Sequence, residues 1–140
     1  MAGGAASQFA VPRGQRYDDT STLTPDLVLW RGLDPNQVWN DPNYRQPVPS
    51  NTVSPSALKT EELSTAVSDR TNLATLRAPG STFANWKMAE FTVGEARQAG
   101  YIVMRDPTDP AHVLLYARKD PNNRPSKTEP KALARIARVV

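Results

Sequence analysis

His112 is the only histidine in the chain, and histidine is the one side chain whose ordinary pKa lies near neutrality. It follows the turn-forming Asp106-Pro107-Thr108-Asp109-Pro110 and opens an apolar run. From there an imidazole can face solvent and move protons, or simply pack at the start of a strand. Arg31 is the second candidate, because it directly follows the apolar run Leu27-Val28-Leu29-Trp30. A guanidinium held by a buried strand can fork two hydrogen bonds onto a carboxylate or a phosphate. Its structural alternative is an ion pair with Glu61 or Glu62. Ser54 and Ser56 flank Pro55 and can offer hydroxyls and amides to the same anion, or cap the start of a helix.

Other chemistries lack their carriers. One histidine and no cysteine leave only carboxylates as metal ligands, and no acidic cluster has the spacing of a calcium loop. The sequence has no GxGxxG, no phosphate-loop glycine-lysine pattern and no GxSxG, the signatures of common dinucleotide, nucleoside triphosphate and hydrolase sites. The absence of cysteine also removes disulfides and a thiol nucleophile, and it fits a reducing compartment.

The elements that must position these residues are clearest between Phe91 and Lys119. Thr92 reads as a helix N-cap with Glu95 closing a capping box, and Phe91 stands where a hydrophobic staple would. Gly100 supplies the left-handed position that ends such a helix, and Arg97 complements its dipole. Tyr101–Met104 and His112–Tyr116 then read as two strands. Pro107 and Pro110 lie in a connection too short for a parallel crossover, so the pair is expected to form a loose antiparallel hairpin.

Elsewhere the signals are shorter. Leu27–Trp30 reads as a buried strand left at Gly32, with Val38 and Trp39 anchoring a following loop. Pro47 and Pro49 make residues 44–53 an extended loop. Ser54–Leu58 suits a turn or short helix, with Pro55 at its first position. Residues 61–67 are expected to continue that helix or form another, with Leu58, Leu63 and Val67 on its apolar side. Phe83 and Trp86, three apart, suggest a helical turn with both rings on one face. A second capping-box pattern, Ser126 with Glu129, introduces a C-terminal amphipathic helix with Leu133, Ile136 and Val140 inward and Lys131, Arg135 and Arg138 outward.

The chain has 140 residues, 39% hydrophobic and 22% charged, which is the composition of one globular domain. Thirteen prolines against seven glycines favour short elements joined by stiff connections over a helical bundle. Residues 1–25 are small, polar and aperiodic, with too little apolar surface to offset the entropy of ordering them. We expect a flexible N-terminal arm over 1–25 and a single α+β domain over 26–140 that includes a basic C-terminal helix. Its expected fold is a small antiparallel sheet with short helices and extended Pro-rich loops.

Charge is unevenly placed. Residues 118–140 carry seven basic side chains against Asp120 and Glu129, while the whole chain is only +3. Such a segment can neutralise phosphates, so Lys131, Arg135 and Arg138 form a possible nucleic-acid contact. No aromatic residues are interleaved there to stack on bases, and a solvated helix face is the simpler reading. No stretch has the length to span a bilayer or the layout of a secretory signal. A cytoplasmic protein without a membrane partner is expected.

The succession Leu29-Trp30-Arg31-Gly32-Leu33-Asp34-Pro35, Val53-Ser54-Pro55-Ser56-Ala57-Leu58, Glu62-Leu63-Ser64 and Asp109-Pro110-Ala111-His112-Val113 resembles a group of small bacterial proteins of unassigned function. They share an arginine after a first strand, a serine-serine-alanine-phenylalanine type segment, a leucine-serine element and a late proline-alanine-histidine. That resemblance implies a bacterial origin and a single compact domain. A fainter one is to ADP-ribosyltransferase-like and RES-type domains, in which an arginine after the first strand holds the cofactor's phosphates and a later serine supports the nicotinamide side. It would place Arg31 and Ser54 or Ser56 in those roles, with NAD as cofactor and Glu62 or His112 as proton acceptor or charge stabiliser.

The leading expectation is a binding or protein-interaction module without a cofactor, in which Arg31, Ser54, Ser56 and His112 gather around an anion-accepting cleft. Its ligand would be a protein partner or a phosphate-bearing small molecule. The alternatives are an NAD- or nucleotide-using enzyme and a nucleic-acid accessory protein.

Overall fold

The computed structural model describes residues 10–34 and 52–140. The loop anchored by Val38 and Trp39 and most of the Pro-rich stretch fall outside these residues, as do the first nine residues of the arm. Six strands, β1 (Val28–Leu33), β2 (Leu63–Val67), β3 (Lys87–Thr92), β4 (Tyr101–Arg105), β5 (His112–Ala117) and β6 (Arg138–Val139), form one sheet in the order β4-β5-β2-β1-β3-β6. Every neighbouring pair is antiparallel. Three short helices, α1 (Leu73–Leu76), α2 (Val93–Gln98) and α3 (Thr128–Ile136), and a 3-10 turn over Pro55–Leu58 complete an α+β fold.

Period-two alternation sends successive side chains to opposite faces. Leu29, Leu63, Val67, Phe91, Val103 and Leu115 point to one face, where they join Val93 and Ala96 of α2, Leu133 of α3 and Leu58 in the main core. Ile102, Met104, Leu114 and Tyr116 point to the other and bury Val11 beneath the N-terminal segment. The sheet is therefore covered on both faces, with different material on each.

Helix α2 forms as its sequence dictates. The Thr92 hydroxyl accepts from the Glu95 amide at 3.1 Å, the Glu95 carboxylate accepts from the Thr92 amide at 2.8 Å, and Gly100 ends the segment at a φ of 106°. β4 and β5 form the expected antiparallel hairpin, with Val103 opposite Leu115.

Residues 61–67 depart from the helix expected there. Leu63 and Val67 are four apart, which suits a helix, but Thr65 between them is also buried. Inward residues at 63, 65 and 67 have the period of a strand, and this segment pairs with β1 and β5. β1 does not stop at Gly32 but runs on to Leu33. Phe83 lies in a turn and Trp86 directly before β3, neither in a helix, although their rings do meet, with centroids 5.1 Å apart in an edge-to-face arrangement.

Helix α3 ends at Ile136, so Arg138 belongs to β6 and not to the helix's outer face. The second capping box is half formed. The Glu129 carboxylate accepts from the Ser126 amide and hydroxyl, while the Ser126 hydroxyl accepts from the amide of Thr128 and not from that of Glu129.

Residues 10–25, assigned above to the arm, lie packed on the domain, with Val11 and Leu23 buried. Arg16 is buried over the ring of Tyr116, 4.3 Å from its centroid, and its guanidinium reaches Glu61 at 2.8 Å. The same segment closes one edge of the sheet. The Asp19 amide donates to the Val103 carbonyl at 2.8 Å and the Val103 amide donates to the Asp18 carboxylate at 2.9 Å, which supplies β4 with the partner that an edge strand otherwise lacks.

A cavity between the sheet and an aromatic pair

Cross-strand register builds the floor of a cavity from four strands. Trp30, Ala66 and His112 are successive partners across β1, β2 and β5, and Met88 of β3 stands opposite Gly32, so their side chains share one face. At an inter-strand spacing of about 4.8 Å, His112 stands roughly 10 Å from Trp30. The N-terminal segment covers only the β4-β5 end of this face. Over β2, β1 and β3 an open space of about 320 Å³ remains, walled by Leu76, Phe83 and Trp86.

Gly32 sets how closely that wall approaches. A Cβ on Gly32 would lie 2.6 Å from Cε1 of Phe83 and 2.9 Å from Cε3 of Trp86. Only a residue without a side chain lets the two rings rest on the strand beside Arg31. A glycine inside an apolar strand is the sequence signal for such contact, and reading Gly32 as the strand's end concealed it.

Arg31 lies where β1 and β2 separate. The strands share two register pairs, Leu29 with Val67 and Trp30 with Ala66, whereas β1 and β3 share six. At the fork the Arg31 Nη1 donates to the carbonyl of Ser64 at 3.2 Å. Ala57 and Thr65 line the cavity with Arg31, so the space reaches into the fork. Among the described residues Arg31 has no carboxylate partner, and its Nε and Nη2 make no hydrogen bond. Burial draws its pKa down from the ordinary arginine value, the direction expected of a cation separated from water without a counter-charge.

His112 lines the same cavity. Its Nδ1 faces Asp109 at 3.5 Å and Asp106 at 3.9 Å. The Asp106 carboxylate also accepts from the amide and hydroxyl of Thr108, which fixes the turn in front of the imidazole. Arg105 braces that turn from behind through Asp69 at 2.9 Å and the carbonyl of Pro110 at 2.8 Å.

The other candidates are placed elsewhere. Ser54 is buried, and its hydroxyl accepts from the Ser56 amide at 3.2 Å at the head of the 3-10 turn. Of that segment Ala57, and neither serine, lines the cavity. Glu62 accepts from the Ala10 amide at 2.7 Å and from the Tyr116 hydroxyl at 2.8 Å, outside the cavity lining. Glu61 holds Arg13 and Arg16 and not Arg31. Arg13's hydrogen bond is the largest influence holding the Glu61 carboxyl below its ordinary value, with Arg16 acting in the same direction and burial opposing both. Arg138 is engaged by Glu95 at 3.1 Å and Glu90 at 3.6 Å.

Among the described residues no group of three or more His, Cys, Asp or Glu side chains could hold a metal ion, and no helix is long and apolar enough to cross a membrane. No protein-family model, curated protein or solved structure matches the chain.

Proposed function

We propose that this protein is a binding module whose cavity takes a small anionic ligand, with Arg31 as the anchor. The observation that carries the proposal is a partly buried guanidinium with no carboxylate partner among the described residues, at the wall of a cavity large enough for a guest. Burying an unpaired cation is unfavourable, and an incoming anion would remove that penalty. The Nε–Nη2 edge matches the spacing of two acceptor oxygens, while the Nη1 bond to Ser64 holds the fork in place.

A nucleotide-using enzyme would place its phosphates at the same guanidinium. Of its two candidate proton acceptors, Glu62 has its carboxylate engaged by Ala10 and Tyr116 and His112 lines the cavity; with one of the two engaged elsewhere, binding is the better supported reading. The absence of cysteine supports a cytoplasmic location.

Calorimetric titration with benzoate, inorganic phosphate, AMP, ADP-ribose and NAD tests the proposal. At least one of these anions is expected to bind in the micromolar to millimolar range, and Arg31→Gln is expected to abolish that binding. If none binds, or if binding survives Arg31→Gln, the anion site is wrong.

A further inference from the structure

Resting on the anion-binding reading, we propose that the ligand class is an aromatic monocarboxylic acid, its carboxylate on Arg31 and its ring against Phe83 and Trp86.

Charge argues for a single negative group. Arg31 is the cavity's one fixed cation among the described lining residues. The imidazole of His112 turns its Nδ1 toward two carboxylates, Asp106 and Asp109, so that end of the floor offers no second fixed cation to another anionic charge. A dianionic phosphate ester or a polyphosphate would leave more charge unmatched than a carboxylate.

Shape argues for a ring. The 320 Å³ space is at the small end of the range of about 300–1,000 Å³ found for ligand pockets, which suits one or two fused rings better than a dinucleotide. Phe83 and Trp86 are already set edge to face, with 74° between their planes, and Gly32 fixes how deep they sit. Trp30 and Met88 add further apolar surface. A guest ring would extend this arrangement by the same offset or edge contacts, which favour an aromatic over a saturated ring of equal size by roughly 2- to 10-fold. Aromatic residues in the wall and a planar two-donor edge on Arg31 are independent features, and an aromatic carboxylate satisfies both.

Calorimetry on the full chain with four matched probes decides the matter: benzoate, cyclohexanecarboxylate, benzamide and phenyl phosphate. Benzoate is expected to bind at least 3-fold more tightly than cyclohexanecarboxylate and more tightly than phenyl phosphate, with benzamide at least 10-fold weaker. Phe83→Leu is expected to bring the benzoate to cyclohexanecarboxylate ratio close to 1 while acid binding persists. Equal or tighter binding of cyclohexanecarboxylate would overturn the aromatic class, and tighter binding of phenyl phosphate would overturn the monocarboxylate; both leave the anion site standing. If benzamide matches benzoate, or if none of benzoate, cyclohexanecarboxylate and phenyl phosphate binds, the anion site falls as well.

Discussion

Arg31 donates to the main-chain carbonyl of Ser64 at 3.2 Å, across the point where β1 and β2 stop pairing. One side chain thereby satisfies an acceptor at the end of a two-pair ladder and lines the cavity. Fold and candidate function meet in that one guanidinium.

A first consequence concerns stability without ligand. Replacing a partly buried, unpaired charge by an apolar side chain of similar length is often neutral or stabilising. Arg31→Met should therefore change the unfolding free energy by less than about 1 kcal/mol, the loss of one bond to Ser64 being offset by relief of desolvation. Urea denaturation followed by tryptophan fluorescence measures this. Destabilisation of about 3 kcal/mol or more would mean that the arginine is a paired structural cation.

Gly32 should tolerate no side chain while the aromatic pair is present. A Cβ 2.6 Å from Phe83 is overpacked, and Gly32→Ala should cost about 1–3 kcal/mol. The double variant Gly32→Ala/Phe83→Ala should lose less than the sum of the two single variants. Strict additivity would show that the ring does not rest on the strand.

The capping box of α2 gives a prediction independent of the cavity. Thr92→Ala removes the acceptor of the Glu95 amide and should cost about 0.5–2 kcal/mol, while Thr92→Ser should retain most of the stability. Thermal unfolding of the two variants checks it.

Acid should loosen the N-terminal segment through Glu61. Its folded-state pKa lies below the ordinary 4.5, chiefly because Arg13 donates to it, with Arg16 adding to the effect. The folded protein then binds the proton more weakly than the unfolded chain. The stabilisation is complete above the unfolded value of 4.5 and is lost as pH falls through the lower folded value. Glu61→Gln, which also strips the buried Arg16 of its carboxylate, should destabilise by about 3 kcal/mol at pH 7. The gap between variant and wild type should close as pH falls below 4.5. A gap independent of pH would remove Glu61 from the account.

The elements legible in the sequence were those specified locally. Thr92, Glu95 and Gly100 define α2 within nine residues, and the turn with Pro107 and Pro110 defines the β4–β5 hairpin. β2 was missed because Leu63 and Val67 satisfy a helix and a strand equally, and only the neighbours β1 and β5 choose between them. Packing of residues 10–25 was hidden for a similar reason. Arg16 looks solvent-loving until Glu61, 45 positions away, and the Tyr116 ring are placed beside it.

The candidate cavity has two lining residues, Arg31 and His112, that the sequence singled out, and walls that it did not. Arg31 and His112 do line one cavity, whereas Ser54 and Ser56 serve the 3-10 turn at its edge. Ser64 and Ala66 enter the lining through strand register, which no local pattern encodes. The close seat of Phe83 and Trp86 depends on a missing side chain at Gly32, and that is a property of two distant segments together.

The most direct test of the central claim observes the guanidinium itself. In ¹H–¹⁵N spectra of the protein titrated with benzoate, the Nε–H resonance of Arg31, assigned by its loss in Arg31→Lys, should move downfield and saturate as the Nε–Nη2 edge takes up the carboxylate. The resonances of Arg97 and Arg105, which are engaged with Asp18 and Asp69, should stay in place. If the Arg31 signal does not move at concentrations that saturate binding, or if the engaged arginines move as much as Arg31, the cavity does not hold its ligand through this residue.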